Sequence, residues 1–323
     1  MREFDTRKPL PVPDVFIHLG LTSRCASRCI KCNVWRHSPS ADPLQTRDWQ
    51  DIIGQLDAAF SNTQITLSGG EPLMNKGIYD LIRTAAATRL RAVLNTSGHM
   101  ITPRIAGKLV EAGCRYVYFS LDGLEKTADA VKGLDGAFRR TVRAVDLIHR
   151  EDPGVVIGLV FVMMSPNMGE VLPFLEHFAA DERIAEIRYQ PVFQPAGEDA
   201  DPHWWNQSGL WPDNGQVDEV IDEMIRMKLD GYPVSNTVTS LNLIRGYFSD
   251  PEALWDGTCP VGKSIFVINP EGMVQFCLEM EPAGNATRNR ISDILRSPKA
   301  SKSLENIANC RRRYCHLPVL GAG

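Results

Sequence analysis

The pattern that most restricts the fold is an alternation of short β-branched segments with longer amphipathic segments, from Pro11 to about Ile187. This alternation is typical of βα units around a parallel sheet. The predicted strands are Asp14–Leu21, Gln64–Ser68, Arg91–Asn95, Tyr116–Leu121, Val155–Met163 and Ile184–Gln190. Six strands of this kind predict an α/β fold with a partial barrel.

The helices between these strands show the expected period. Thr46 is a predicted N-cap, and the apolar residues after it form one stripe that we assign to core packing. The stripe consists of Trp49, Ile52, Ile53, Leu56 and Phe60. A later helix is predicted to bury Val217, Val220, Ile221, Met224 and Ile225.

The segment from Pro191 to Asn214 is rich in Pro, Gly and Trp and predicts a long loop. Loops of this length are usually functional. Its aromatic residues either cover a small polar substrate or seal the mouth of the barrel. These residues are His203, Trp204, Trp205 and Trp211. Arg188, Tyr189 and Gln190, at the end of the sixth predicted strand, are candidates for contact with a ligand in the barrel.

Charge and hydropathy exclude several classes of function. The formal net charge is −4, so no general field attracts nucleic acid or an anionic membrane, although Arg311–Arg313 form a local basic patch. The N-terminus has no apolar segment of the signal-peptide kind. The longest apolar run, Val155–Met164, is about half the roughly 20 residues that span a bilayer. These features predict a cytoplasmic protein without a membrane partner.

Eight cysteines in a cytoplasmic chain indicate metal binding or redox chemistry, because that compartment keeps thiols reduced. Three of them, Cys25, Cys29 and Cys32, follow the first predicted strand, at the end where α/β enzymes assemble their sites. A [4Fe–4S] cluster held by three thiolates leaves one iron open to a small molecule. The alternative is a zinc knuckle with His37 as fourth ligand.

Two further motifs follow the second and fourth predicted strands. In Leu67–Leu73, Gly69 and Gly70 permit close approach of the backbone to a ligand, and Glu71 offers a carboxylate to an amine. In Phe119–Gly123, Ser120 and Asp122 suit the hydroxyls of a ribose.

Together and in this order, the three motifs resemble those of the radical S-adenosylmethionine (SAM) superfamily. The resemblance implies a partial (β/α)6, TIM-like barrel in which Cys25, Cys29 and Cys32 hold a [4Fe–4S] cluster and SAM binds its open iron. It implies that Gly69, Gly70, Glu71 and Pro72 hold the SAM amine, with Ser120 and Asp122 near the ribose and Asn95 as a further polar contact. One departure is Lys31, where the family often has an aromatic residue; Trp35 is a candidate substitute.

The remaining cysteines lie mostly near the C-terminus. Cys259–Cys277 predicts a β-hairpin around the turn Asn269–Gly272, with a cysteine at each outer end. Cys310 and Cys315 follow a helical segment, and four convergent thiolates suit either zinc or a second cluster. The segment resembles the SPASM/twitch extension, which implies an auxiliary [4Fe–4S] cluster with Cys315 as the less certain ligand. Cys114 is predicted to be a buried packing thiol.

The resemblance implies two domains, a radical SAM barrel over residues 1–235 and a cluster-binding β-hairpin and helix extension over residues 236–323. It also implies an enzyme that cleaves SAM and then oxidises a small metabolite or forms a bond in it. A flavodoxin or ferredoxin is the implied reductant of the enzyme. Peptide modification is an alternative that the short segment before the first strand disfavours. A non-catalytic iron–sulfur or zinc protein is a further alternative, and nucleic acid is not an expected partner.

Overall fold

The computed structural model describes residues 14–37, 39, 41–195, 201, 203–252, 259, 261–262 and 264–310. Cys315 and Arg311–Arg313 lie outside the described residues. The strands are β1 (Val15–Thr22), β2 (Thr63–Gly69), β3 (Arg91–Thr96), β4 (Tyr116–Ser120), β5 (Val156–Met163), β6 (Ile184–Pro191), β7 (Ile265–Ile268), β8 (Met273–Gln275) and β9 (Gly284–Asn285). Each of the six strands predicted for the barrel is confirmed to within a residue or so at its ends.

The helices alternate with these strands as predicted. They are α1 (Thr46–Ala59), α2 (Ile78–Ala86), α3 (Pro103–Glu111), α4 (Glu125–Lys132), α5 (Ala137–Glu151), α6 (Val171–Ala179), α7 (Trp204–Gln207), α8 (Asn214–Leu229), α9 (Val238–Ser249), α10 (Ile291–Leu295) and α11 (Pro298–Ala308). Short 3-10 turns span Val34–His37, Pro72–Met74 and Ser165–Glu170. In the described residues of the predicted loop from Pro191 to Asn214, one short helix, α7, is present.

The N-cap prediction for α1 was wrong by one residue. The cap is Gln45, whose backbone N–H donates to Asp48 Oδ2 at 2.8 Å, and Thr46 is the first helical residue. The Thr46 side chain instead packs against the start of α2, where a Cβ on Gly77 would lie 2.1 Å from its Oγ1. The predicted stripe is otherwise confirmed, since Trp49, Ile52, Ile53 and Leu56 are buried, while Phe60 lies just beyond the helix.

One open sheet holds all the described strands, in the order β6-β5-β4-β3-β2-β1-β7-β8-β9. Strands β1 to β6 are parallel, and β7 joins β1 in parallel before the antiparallel β8 and β9. The predicted hairpin is thus confirmed, and it extends the barrel sheet at its β1 edge. The helices cover one face, where Ile17, Leu19 and Leu21 are fully buried.

The sheet is strongly curled. Neighbouring strands lie about 4.8 Å apart, so β1 and β6 would be roughly 24 Å apart in a flat sheet. Yet Arg188 of β6 lowers the pKa of His18 of β1, and Lys31, after β1, forms an ion pair with Asp122, after β4. The concave face therefore encloses a lumen, which agrees with the predicted partial (β/α)6 barrel.

The two-domain division at residue 235 stays a prediction. The backbone N–H of Tyr189 in β6 donates to Asn236 Oδ1 at 2.7 Å, and Asn236 Nδ2 donates to Tyr189 O at 2.9 Å. The segment around the predicted boundary is therefore bonded to the barrel.

Candidate SAM and iron–sulfur site

The loop after β1 carries three half-buried free thiols, Cys25, Cys29 and Cys32. The end of α4 holds this cysteine loop from one side: the backbone N–H groups of Arg28 and Ile30 donate to the carbonyls of Lys132 and Val131, each at 3.0 Å. Burial is the main influence on Cys25 and raises the pKa of its thiol, and the other two thiols raise it further. This mutual influence places the three thiols close together.

The turn after β2 holds the cysteine loop from the other side. The backbone N–H of Gly70 donates to Thr22 O at 2.7 Å, and that of Glu71 donates to Arg24 O at 2.8 Å. A Cβ on Gly69 would lie 2.4 Å from Thr22 O, and one on Gly70 would lie 2.3 Å from Arg24 O. The two glycines are therefore required by contact with the backbone of Thr22 and Arg24, and their approach to a ligand stays a prediction.

Glu71 is almost fully buried, and both of its carboxylate oxygens are engaged. Oε1 accepts from Thr96 Oγ1 at 2.6 Å, and Oε2 accepts from the backbone N–H of Ser97 at 3.1 Å and from its hydroxyl at 2.5 Å. Oε1 also accepts from the backbone N–H of Leu73 at 3.3 Å, so four donors surround a carboxylate that has about four acceptor positions, and they fix the orientation of Glu71. Pro72 begins the 3-10 turn that follows. Thr96 and Ser97 were missed by the sequence analysis, although both stand in the strand end that contains Asn95.

Asn95 and Ser120 lie on the lumen side of the strand ends. Asn95 is half-buried, and within the described residues its Oδ1 is buried and accepts no hydrogen bond. Such an atom fits a hydroxyl or amine of a ligand. The Ser120 hydroxyl accepts from Lys132 Nζ at 2.7 Å.

Asp122 belongs to a buried group of three charges. Its Oδ1 accepts from Lys31 Nζ at 2.5 Å and from the backbone N–H of Val162 at 2.9 Å. Its Oδ2 lies 3.2 Å from Lys132 Nζ, as an ion pair without hydrogen-bond geometry. The side chains of Lys31, Lys132 and Asp122 are 13%, 4% and 0% exposed.

The electrostatics of this group explain how its charges are tolerated. Burial opposes the charged form of Asp122, but Lys31 and Lys132 together outweigh it and hold the pKa of the carboxyl below its usual range. Burial lowers the pKa of Lys31, and Asp122 only partly offsets this. Lysine is rarely buried unless it is paired. Lys31, the residue that departs from the family pattern, therefore links the cysteine loop to Asp122 just after β4. The sequence analysis did not identify the part played by Lys132.

Trp35, the candidate substitute for the usual aromatic residue, is half-buried. Arg36 lies over its ring at 5.2 Å and Arg28 at 6.0 Å, measured to the ring centroid. Within the described residues, its buried Nε1 has no hydrogen-bond partner.

Three thiols of the C-terminal set are described, and all are half-buried: Cys259, Cys277 and Cys310. Burial raises the pKa of Cys277, and both neighbouring thiols raise it further, which places the three side chains near one another. Within the described residues, no three His, Cys, Asp or Glu side chains are arranged around a single metal ion. Cysteines of a [4Fe–4S] cluster each bind a different iron.

Cys114 is confirmed as a packing thiol. It is 4% exposed, it donates to Tyr116 O at 3.8 Å, and burial raises its pKa to about 12.

Strand alternation decides which residues of β6 face the lumen. Arg188 and Gln190 lie on the lumen face, but Tyr189 is only 1% exposed and packs on the outer face against Phe161. The prediction that Tyr189 points into the cavity was therefore wrong. Trp211 packs on α9, at 5.1 Å from Tyr247 and 5.2 Å from Phe248 between ring centroids, and Trp204 and Trp205 pack against Trp211.

Two surface depressions lie elsewhere and contain none of the predicted site residues. One, of about 390 Å³, is lined by Leu124–Thr127, Phe138, Glu170 and His177. The other, of about 400 Å³, is lined by Asp135, Gly136, Arg139, Arg140 and Arg143.

Known protein families match both cysteine-containing parts of the chain. Residues 19–177 match the model of the radical SAM superfamily, and residues 259–316 match that of an iron–sulfur cluster-binding (SPASM) domain. The chain belongs to the radical SAM superfamily. Membership implies a SAM-binding [4Fe–4S] cluster and an auxiliary iron–sulfur cluster, in agreement with the predicted cofactors. The close thiols, the two tightly packed glycines and the open acceptor on Asn95 fit these groups.

Individual relatives match only part of their own length. Fe-coproporphyrin III synthase of Methanosarcina barkeri is 33% identical over 169 residues, which are 52% of this chain and 41% of that protein. Mycofactocin maturase MftC of Mycolicibacterium smegmatis is 26% identical over 275 residues, which are 80% of this chain and 62% of that protein. The chain therefore matches about two fifths of the length of the first relative and slightly more than three fifths of the second.

A solved structure shows the same fold over both parts of the chain. Streptococcus suis SuiB bound to the precursor peptide SuiA superimposes with a TM-score of 0.68 at 12% identity, covering 93% of this chain and 67% of that chain. At this identity the likeness concerns the fold alone. Within the described residues, no helix has the length and apolarity needed to cross a membrane.

Proposed function

We propose that this radical SAM protein is an enzyme that oxidises, or forms a bond in, a small metabolite. When bound, SAM and the first cluster would supply reductive cleavage of the sulfonium C–S bond to methionine and a 5′-deoxyadenosyl radical. That radical would take a hydrogen atom from the substrate. The auxiliary cluster would supply an electron acceptor. Such chemistry belongs to the cofactors, and the protein binds, orients and shields them.

The observation that carries the proposal is the docking of the cysteine loop. Backbone hydrogen bonds from Gly70 and Glu71 hold the loop against the β2 turn, while the same turn presents the oriented Glu71 carboxylate beside Cys25. A purely structural metal site needs no such buried carboxylate next to its thiols, because an unpaired negative charge there is costly.

The chain's own residues have separate roles in this proposal. Cys25, Cys29 and Cys32 hold the first cluster, and Gly69, Gly70, Glu71 and Pro72 place a carboxylate at the SAM amine. Asn95, Ser120 and Asp122 face the nucleoside, with Asp122 acting through Lys31 and Lys132 because it is fully buried. Cys259, Cys277, Cys310 and Cys315 hold the auxiliary cluster. A flavodoxin or ferredoxin of the cytoplasm is the proposed reductant.

The test is SAM cleavage by the anaerobically reconstituted protein, with 5′-deoxyadenosine measured by mass spectrometry. The Cys25→Ala, Cys29→Ala, Cys32→Ala triple variant is the negative control, and Cys114→Ala is the matched control for loss of a thiol. We expect product from the wild type and from Cys114→Ala only. Zinc in place of iron at both sites would contradict the proposal and favour a non-catalytic metalloprotein.

Peptide modification is the second candidate. It is favoured by the MftC alignment, which spans 80% of this chain, and by the fold shared with SuiB, whose structure contains a precursor peptide. A screen of deuterated substrates separates the two candidates: transfer of deuterium into 5′-deoxyadenosine from a metabolite supports the first, and transfer from a peptide supports the second.

A further inference from the structure

The lumen face of the barrel can be read from the strand register. His18 pairs with Thr66 on β2, and Arg188 pairs with Val160 on β5. His18 is exposed although its neighbours Ile17 and Leu19 are 0% exposed, and Arg188 is half-buried between the buried Ile187 and Tyr189. Because side chains alternate along a strand, both His18 and Arg188 point into the lumen.

Arg188 carries an unpaired charge inside this lumen. Within the part of the chain that the structure describes, its guanidinium forms neither an ion pair nor a hydrogen bond. By contrast Arg183, just before β6, donates to both carboxylate oxygens of Asp181 at 2.8 and 2.7 Å. An enclosed arginine without a carboxylate is unusual, because charges are seldom removed from bulk water unpaired.

His18 lies within the electrostatic reach of Arg188. Enclosure by the barrel walls and, second, the Arg188 guanidinium lower the pKa of His18 to about 4. The imidazole is exposed to the lumen and at the same time surrounded by protein, so it is neutral near pH 7. A neutral imidazole has one N–H donor to offer.

An acidic residue of the same strand already has a hydrogen-bond partner. Glu186, two residues before Arg188, accepts a hydrogen bond from the Tyr118 hydroxyl. Gln190, on the other side of Arg188, is half-buried and uncharged. Among the described residues, the lumen between β1 and β6 therefore presents a guanidinium that forms no ion pair, beside a neutral donor.

We propose that His18 and Arg188 form a binding site for a carboxylate group of the substrate. The inference rests on the proposed function, since it assigns the substrate class of the same barrel. Two parallel N–H groups of a guanidinium match the two oxygens of a carboxylate, and a neutral imidazole adds a third donor. A phosphate dianion suits the site less well, because it brings a second negative charge toward Glu186.

The test is an NMR titration of the reconstituted holoprotein with sodium propionate at pH 7. The His18 signal is identified by its loss in His18→Gln. The uncharged isostere propionamide and inorganic phosphate are titrated in parallel. We expect a saturable shift of the His18 signal with propionate, a smaller response to phosphate and none to propionamide.

Substitutions of Arg188 test its part in the site. Arg188→Gln should weaken propionate binding by about tenfold or more, as expected for loss of a charge-assisted hydrogen bond. Arg188→Lys keeps the charge without the planar fork and should fall between wild type and Arg188→Gln. Arg183→Gln, in which the replaced arginine is paired outside the lumen, is the matched control and should bind propionate as wild type does.

Several outcomes would overturn the inference. They are an equal response to propionamide, tighter binding of phosphate than of propionate, or unchanged binding in Arg188→Gln. If Arg188→Gln does not fold, the wild-type titrations and Arg188→Lys decide. Loss of the propionate shift when SAM is saturating would assign the site to the SAM carboxylate instead. Failure of the proposed function is read separately, as absence of 5′-deoxyadenosine, because the titration requires no turnover.

Discussion

The two cysteine sets of this protein are supported in different ways. The first set occupies one loop, which is fastened by backbone hydrogen bonds to the β2 turn and to α4 and by the buried ion pair of Lys31 with Asp122. The second set combines Cys259 and Cys277 of the hairpin segment with Cys310 after α11. Around it, the contacts are mostly between side chains. There, Gly262 faces Leu304 and Ile307 of α11, and Gly284 faces Ile294 of α10.

This difference predicts how strongly each site responds to amino-acid substitution. Backbone contacts and buried charges permit little adjustment, whereas the ends of aliphatic side chains can move. The first site should therefore respond sharply to small changes, and the second should respond gradually. The two sites also share strand β1, which pairs with β2 on one side and with β7 on the other.

The largest expected effect separates the two sites chemically. Cys29→Ala should reduce 5′-deoxyadenosine to background, because three thiolates hold the cluster that SAM binds. Cys310→Ala should retain SAM cleavage but lose conversion of the substrate. Each variant should lose about half of the iron if each set holds one [4Fe–4S] cluster. Iron analysis and mass spectrometry check this, and equal loss of cleavage in both variants would remove the distinction.

Glycine substitutions test the contrast between backbone and side-chain packing. Gly70→Ala should destabilise the fold by about 3 kcal/mol or more, since its Cβ would meet the Arg24 carbonyl oxygen at 2.3 Å. Gly284→Ala should cost about 1 kcal/mol, because its nearest contact is Ile294 Cγ1 at 2.9 Å.

Gly54→Ala is the matched control for these glycines, because nothing lies within 4 Å of a Cβ there. It lies within α1, so alanine should stabilise the protein by about 0.5–1 kcal/mol. Urea unfolding measures all three variants. A Gly70→Ala variant as stable as wild type would show that the cysteine loop adjusts as readily as the hairpin.

A lysine in each region tests the contribution of buried charge. Lys31→Met leaves Asp122 with only Lys132 and should cost about 2 kcal/mol, in the range for a hydrogen bond between charged groups. Lys302→Met, which removes the exposed ion pair with Glu305 in α11, should cost less than about 0.5 kcal/mol. Denaturant unfolding at pH 7 measures both variants. Similar losses of unfolding free energy would show that the buried Lys31–Asp122 ion pair does not stabilise the first region more than a surface pair would.

The effect expected to be smallest at pH 7 concerns strand β1, which serves both regions. Since folding lowers the pKa of His18 from 6.5 to about 4, the unfolded chain binds the proton more readily between these values. Stability is complete above pH 6.5 and declines as the pH falls toward 4. His18→Gln should therefore flatten the decline of the unfolding free energy over this window.

The control for this pH effect is His149→Gln, on the outer helix α5. That variant replaces an imidazole outside the lumen and so separates loss of any histidine from loss of His18. Identical profiles for wild type and His18→Gln would show that His18 is not enclosed by the barrel as described.

Much of the fold could be predicted from sequence because its signals are local. The six barrel strands, the hairpin turn at Asn269–Gly272 and the three-thiol loop each depend on residues that are close in the chain. The predictions for the face occupied by Tyr189 and for the N-cap of α1 were wrong. The first depends on the register of β6, and the second depends on the contact of Thr46 with α2.

The sequence by itself determined the class of fold, the family and the residue types that suit two iron–sulfur clusters and SAM. Only the tertiary structure decided what surrounds them: the glycines pack against the backbone of Thr22 and Arg24, Lys31 and Lys132 enclose Asp122, and His18 and Arg188 lie on the lumen face of the sheet. The physical reason is the curl of the sheet. It brings residues from distant strands together, and whether a charge there is paired depends on neighbours that no local pattern reveals.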